Sequence, residues 1–283
     1  MKRKYMIIVL MAGALELTGC SQGTSNSAKN GTTGSENTII SESDIAILDT
    51  EDMFTERDRD TEYDESECTA ISLSDEETKC DSDGVKMDGQ TVTITEGGTY
   101  LLTGSLSNGS VVVDTDKTEK VQLILENVSI INEEGAGICV EQADKVFITL
   151  ADGSTNKIVS NSFTGNEDTN IDGAIFSRED LTLNGSGTLK ITSAAHGIVS
   201  KDDLVLTGGV YQIQSEKQGL SGKESVRIAD GTFTITSGTD AIHSEDTDED
   251  TKGFVYITGG VLTLAAGGDG ISSSYVVQAD GGS

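Results

Sequence analysis

Residues Ser225-Val226-Arg227-Ile228-Ala229-Asp230-Gly231-Thr232-Phe233-Thr234-Ile235 alternate apolar and polar side chains on either side of an Asp-Gly turn. That is the pattern of two short strands and not of a helix. The pattern recurs. Leu181, Leu204, Val226 and Val255 are spaced 23, 22 and 29 residues apart, and Leu183, Leu206, Ile228 and Ile257 keep step two positions on. Leu189, Tyr211, Phe233 and Leu262 align beyond the turn, as do Ile191, Ile213, Ile235 and Leu264, with Gly187, Gly209, Gly231 and Gly260 marking the turn itself. The long interval contains an acidic insertion, Asp246 to Thr251. A fainter coil runs from Gly137-Ile138 through Val146 to Ile158, with a polar insertion around Asn161 to Asn170.

A unit of about 22 residues with two or three short strands cannot bury its apolar face alone; stacked copies can, at a strand spacing of ~4.8 Å. The spacing therefore predicts an all-β fold, a right-handed parallel β-helix of about eight coils over residues 85–283. Like residues then stack, as in the row Ser177, Ser200, Ser244 and Ser273. The absence of proline agrees, since proline removes a ladder donor. The last coil starts at Asp269-Gly270-Ile271 and stops at Gly281-Gly282, which predicts a chain truncated in mid-coil.

Composition narrows the function. The 283 residues carry 48 Asp+Glu against 19 Lys+Arg, a formal charge of −29, with no tryptophan and 12 Phe+Tyr. Nucleic acid and anionic membrane surfaces are excluded as direct partners by that charge. Sugar binding by tryptophan stacking is excluded too.

Lys2-Arg3-Lys4, the apolar run Tyr5 to Leu15 and Leu17-Thr18-Gly19-Cys20 form a secretory signal, residues 1–19. Its end resembles the lipobox of bacterial lipoproteins, which assigns Cys20 as lipidated. The implied location is extracellular, lipid-anchored to the outer face of the bacterial cell membrane, as a monomer. Residues 20–84 read as a flexible, disordered acidic linker: Glu36 to Asp83 holds 18 acidic and 3 basic residues, a net of −15. Cys68 and Cys80 could pair in an oxidising compartment, whereas Cys139 in its apolar run reads as a small buried hydrophobe.

Stacking brings distant residues into columns. Arg178, Lys201, Lys223 and Lys252 form a basic column beside an acidic one of Glu179, Asp202 and Glu224. The plainer reading is mutual neutralisation on a solvated face; the functional one is reception of sugar carboxylates. Asp240 and Asp269 share a repeat position with His196 and Gln218, and Asp246, Asp248 and Asp250 lie between them. Crowded carboxylates of this kind are relieved by Ca²⁺ with six to eight oxygen ligands. Asp168, Asn170 and Asp172, with Gly173 and Glu179, match the spacing of a calcium loop, though without flanking helices.

The stretches 195–204, 222–235 and 253–260 resemble the clostridial secreted carbohydrate-binding domain family, a right-handed β-helix similar in shape to pectate lyases. The likeness covers roughly residues 85–283. It implies Ca²⁺ bound along the helix and affinity for acidic pectic polymers, without lyase activity. The family's Gly-Asp-Gly-Ile turn is kept at Asp269 but reads Thr239-Asp240-Ala241-Ile242 one coil earlier. The leading expectation is thus a surface-anchored, calcium-dependent binder of acidic polysaccharide. The alternatives are a calcium-dependent polysaccharide lyase with Lys201 or Lys223 as base, and a structural adhesin.

Overall fold

The computed structural model describes residues 48–164 and 170–283, together with the backbone of Ile8 and Val9, which pairs with Val277 and Gln278. The expected right-handed parallel β-helix is the observed fold, with about seven turns. Each turn contributes one strand to each of three sheets. The first sheet contains Lys145–Leu150, Asp180–Gly185, Asp203–Leu206, Ser225–Ile228 and Phe254–Ile257. The second contains Thr155–Ser160, Thr188–Ser193, Val210–Ser215, Thr232–Ser237 and Val261–Ala266. The third contains Ile138–Gln142, Gly173–Ser177, His196–Ser200, Leu220–Gly222 and Ile242–Ser244. Near the start of the solenoid, the nine-residue strand Gly98–Leu106 bends from the first sheet into the second and joins them.

Register follows the sequence alignment. Leu181 pairs with Leu204, Leu204 with Val226 and Val226 with Val255. Leu189, Tyr211, Phe233 and Leu262 form an unbroken ladder. In-register stacking follows from the apolar rows, because a slip of one residue would turn every core side chain outward. Ile, Leu and Val dominate the buried column, with Tyr211 lying on Phe233 at 4.9 Å between ring centroids.

The three corners have different chemistry. The first-to-second corner uses glycine at positive φ: Gly185 (+96°), Gly209 (+95°), Gly231 (+127°) and Gly260 (+91°). Gly187 precedes Thr188 as Gly209 precedes Val210 in the ladder, but the positive φ of its turn lies at Gly185. The turn Asn184 to Thr188 carries one more residue than its neighbours, which also explains the interval of 23. The other two corners use buried serines. Ser177 and Ser200 accept from the N–H groups of Glu179 and Asp202, and Ser193 accepts from that of Ala195. Such hydroxyl turns redirect the backbone without a positive φ. The Ser177 row is continuous except at Gly222, which stands between Ser200 and Ser244.

The Tyr211 hydroxyl is buried without a hydrogen-bond partner, and burial pushes its pKa up. An orphaned hydroxyl costs about 1 kcal/mol or more. Tyr211→Phe should therefore raise the unfolding free energy by about 1 kcal/mol in urea melts; a loss would reveal a partner.

The linker boundary moves. Residues 20–47 and Cys20 lie outside the described residues, as does all of 1–19 apart from the Ile8–Val9 backbone. Residues 48–84, however, are built into the solenoid. Thr69–Leu73 pairs in parallel with Gly98–Leu106 as a first rung. Before it, a strap crosses the outside of the first sheet, from the Leu48 N–H on the Gln278 side chain to Arg57 on the Gln122 side chain. Its short helix, Glu56–Arg59, is capped by Thr55 and places Asp58 in a buried polar network. The Asp58 carboxylate meets Lys145 Nζ at 2.8 Å and the Thr182 hydroxyl at 2.7 Å. Asn184 Nδ2 donates to the carbonyls of Asp58 and Asp60, and the Thr207 hydroxyl to that of Asp58. These specific partners overcome the self-repulsion that the acidic composition predicts. Cys68 and Cys80 are free thiols, and Cys139 is buried.

Candidate functional site

The chemistry-bearing residues gather where the third sheet turns into the first. Arg178, Lys201 and Lys223 each follow a strand of the third sheet, and their N–H groups donate to Val140, Ser177 and Ser200 one coil back. The basic column is therefore real for these three, and Lys252 joins it from the acidic insertion. Each cation is seated on a carboxylate. Arg178 Nε lies 2.6 Å from Glu141, Lys201 Nζ 3.6 Å from Asp172, and Lys223 Nζ 2.9 Å from Asp248 and 3.9 Å from Asp246. Lys252 bridges Glu224 and Glu249. Hydrogen bonding to these carboxylates raises the pKa of Lys223 and Lys252.

Beside them the acidic column is incompletely neutralised. Burial, and then the charges of Asp180, Glu224 and Asp203, push the Asp202 carboxyl up to about 7. Asp180 is raised by burial and by Asp203. Asp203 itself pairs with Arg227, whose guanidinium also donates to the Met53 carbonyl of the strap.

The two histidines occupy the third sheet. His196 Nδ1 accepts from the Gln218 N–H, and its Nε2 lies 3.4 Å from Asp172. Burial holds its pKa down at about 4, so it is neutral at pH 7. His243 lies 3.0 Å from Asp240 through Nδ1 and 3.6 Å from Glu245 through Nε2. Outward from this sheet, Phe176, Val199, Cys139 and Ala136 form a small second apolar cluster, against which Ile171, just after the polar insertion, packs. Strand alternation hides that cluster from a sequence reading, which takes every apolar residue of a coil as core.

The expected calcium ligands meet different fates. Asp240 uses one oxygen on His243 and the other on the Asp269 N–H. Asp246 is buried and accepts from the N–H groups of Asp248 and Glu249, and Lys223 neutralises Asp246 and Asp248 together. Asp250 is exposed. Asp269 is exposed as well, and a divalent cation at this corner would have to displace the backbone donors, His243 and Lys223 that serve the oxygens of Asp240, Asp246 and Asp248. Among the described residues no three acidic, histidine or cysteine side chains are gathered as a metal site. In the other loop Asp168 lies outside the described residues, Asn170 is left-handed (φ 59°), and Asp172 keeps one buried oxygen without a hydrogen bond. That oxygen, Oδ1, is the one 3.6 Å from Lys201 Nζ, so the lysine already supplies its counter-charge.

The second sheet presents a contrasting outer face. Its five six-residue strands hold two lysines, Lys157 and Lys190, and not one carboxylate. A shallow groove of about 330 Å³ runs over Lys190, Thr192, Gln212, Gln214, Thr234 and Thr236. It shares Thr192 and Gln214 with a neighbouring groove of about 210 Å³. The charge columns drew attention in the sequence; this face is marked only by what it lacks.

A family model described as carbohydrate-binding domain-containing protein matches residues 88–283. A protein of the same description from Acetivibrio thermocellus is 35% identical over 137 residues, 47% of this chain and 48% of that protein. The chain thus spans about half the length of the curated relative it matches. A solved structure of the polysaccharide lyase-like protein from C. thermocellum, a gadolinium derivative, is similar with a TM-score of 0.67 at 29% identity. The match covers 76% of this chain and 99% of that one.

Proposed function

The chain belongs to the family of carbohydrate-binding domain-containing proteins, and from that premise we propose that it is a non-catalytic module that retains polysaccharide at the bacterial cell surface. The observation that carries the non-catalytic part is the state of the lysines. A lyase base must shed its proton near neutral pH, which calls for a depressed pKa. Lys223 and Lys252 sit on paired carboxylates that raise theirs, and Lys201 faces Asp172.

The finer reading is that the polymer includes acidic, pectin-like sugars and that Ca²⁺ assists. A chain of net charge −29 repels a polyuronate, so cations must lie between the two. Among the described residues Asp172 is the one expected ligand with a buried oxygen that takes no hydrogen bond, and an ion there would compete with Lys201 for it. Attachment of this module to the membrane through Cys20 completes the reading.

The test is retention of the purified chain on polygalacturonate with and without Ca²⁺, with absorbance of unsaturated sugar ends followed in parallel. Retention that falls at least tenfold with chelator or in Asp172→Asn, without growth of absorbance, is the expected result. Steady growth of that absorbance would establish a lyase. No retention on any polysaccharide would leave an adhesin.

A further inference from the structure

We propose that the outer face of the second sheet is a second polysaccharide contact surface, apart from the cation-assisted place for acidic sugars, and that it takes an extended chain of uncharged sugars laid along the solenoid axis. The inference rests on the carbohydrate-binding reading above and adds a location, a chain direction and a ligand charge.

Three observations carry it. The first is electrostatic. The protein holds 48 carboxylates, yet the thirty residues of these five strands hold none. In a field this negative, a uronate chain approaches only with cations in between. A neutral chain needs no such bridge and meets no carboxylate on these strands, with Glu216 just beyond one of them at the edge of the smaller groove.

The second is chemical. Thr192, Gln214 and Thr236 stack in one row, and Lys190, Gln212 and Thr234 in the next. Hydroxyl and amide groups each donate and accept, which suits the sugar hydroxyl in either role. The first sheet cannot serve in this way, because the strap covers its outside and consumes the polar groups of Gln122, Thr182 and Asn184.

The third is metric. Rungs repeat every ~4.8 Å, so five span ~19 Å, and this advance is close to that of one sugar in an extended chain. Each residue of such a polymer can therefore repeat the contacts of the last. The grooves over Gln212 and Gln214 are shallow and open, as a polymer entering from the side requires.

The experiment is retardation of the full chain in native gels containing a soluble uncharged β-glucan, or polygalacturonate with Ca²⁺. The variant Gln212→Ala/Gln214→Ala removes two outward amides, and Thr91→Ala/Thr93→Ala, in the strand Thr91–Ile94 at the start of the third sheet, removes hydroxyls there as a control. The expected result is glucan binding weakened about tenfold or more by the glutamine pair and unchanged by the threonine pair, with both variants melting like the parent. Glucan binding that survives the glutamine pair overturns the location. Binding to polygalacturonate alone overturns the ligand charge and leaves the carbohydrate-binding reading intact. Failure to bind either polymer overturns both.

Discussion

Asp58→Ala should be the most damaging single change outside the apolar core, lowering stability by about 3–5 kcal/mol. Removal of one partner from a buried ion pair strands the other charge. Here Lys145 would keep its ammonium beneath the strap, only 15% exposed and without its counter-ion. The Thr182 hydroxyl would lose its acceptor, and the helix Glu56–Arg59 would lose the side-chain half of its capping box. Urea melts and amide exchange over residues 53–60 measure the loss. Exchange in that segment should approach the unfolded rate while the interior ladder stays protected. A change below about 1 kcal/mol would mean that the strap is held by its backbone contacts alone. Asp58→Ala/Lys145→Met, which removes both charges, should recover most of the loss.

The same pair sets an acid limit. Burial raises the Asp58 pKa, but hydrogen bonds from Lys145, Thr182 and the Thr55 N–H outweigh it and hold the value at about 2, against 3.8 for the free group. A depressed carboxyl contributes stability that is complete above the unfolded pKa and lost as pH falls through the folded one. About 2 kcal/mol should disappear between pH 4 and pH 2, and Asp58→Asn should show no such loss in that window beyond that of the other carboxylates.

Phe233→Ala is the counterpart within the core, with an expected loss of about 3–5 kcal/mol. Phe233 is fully buried, and its ring lies parallel to Tyr211 within 5°. Truncation removes that stack and leaves a cavity directly beneath Thr232 and Thr234 on the second sheet. Polysaccharide retention should therefore fall together with the melting temperature. Phe233→Leu, which refills most of the space, should restore most of both. If Phe233→Ala melted within about 1 kcal/mol of the parent, the column would be shown to collapse around the gap.

The repeat and its register were open to reading because in-register ladders need like residues at equal intervals; Leu204, Val226 and Val255 are core neighbours for that reason alone. The serine row was visible on the same grounds. The strap was not. Its composition, 18 acids in 48 residues, describes a repelling chain. The partners that restrain it, Lys145, Thr182, Asn184 and Thr207, lie between 87 and 149 residues away from Asp58. They look like ordinary outward positions of strands until the strap covers them. The acidic corner was legible only as a crowd of carboxylates, because the groups that engage the oxygens of Asp240, Asp246 and Asp248, namely His243, backbone N–H groups and Lys223, leave no mark in the spacing.

The sequence by itself determined the solenoid, its period, the order of its core rows and the positions of its two insertions, because each depends on local alternation repeated at a constant interval. The tertiary structure alone decided which outer face is covered, which charges are spent on one another and which surface stays free of carboxylates. Those outcomes depend on contacts between segments with no common period, and electrostatic pairing at a few ångströms leaves no trace in spacing along the chain.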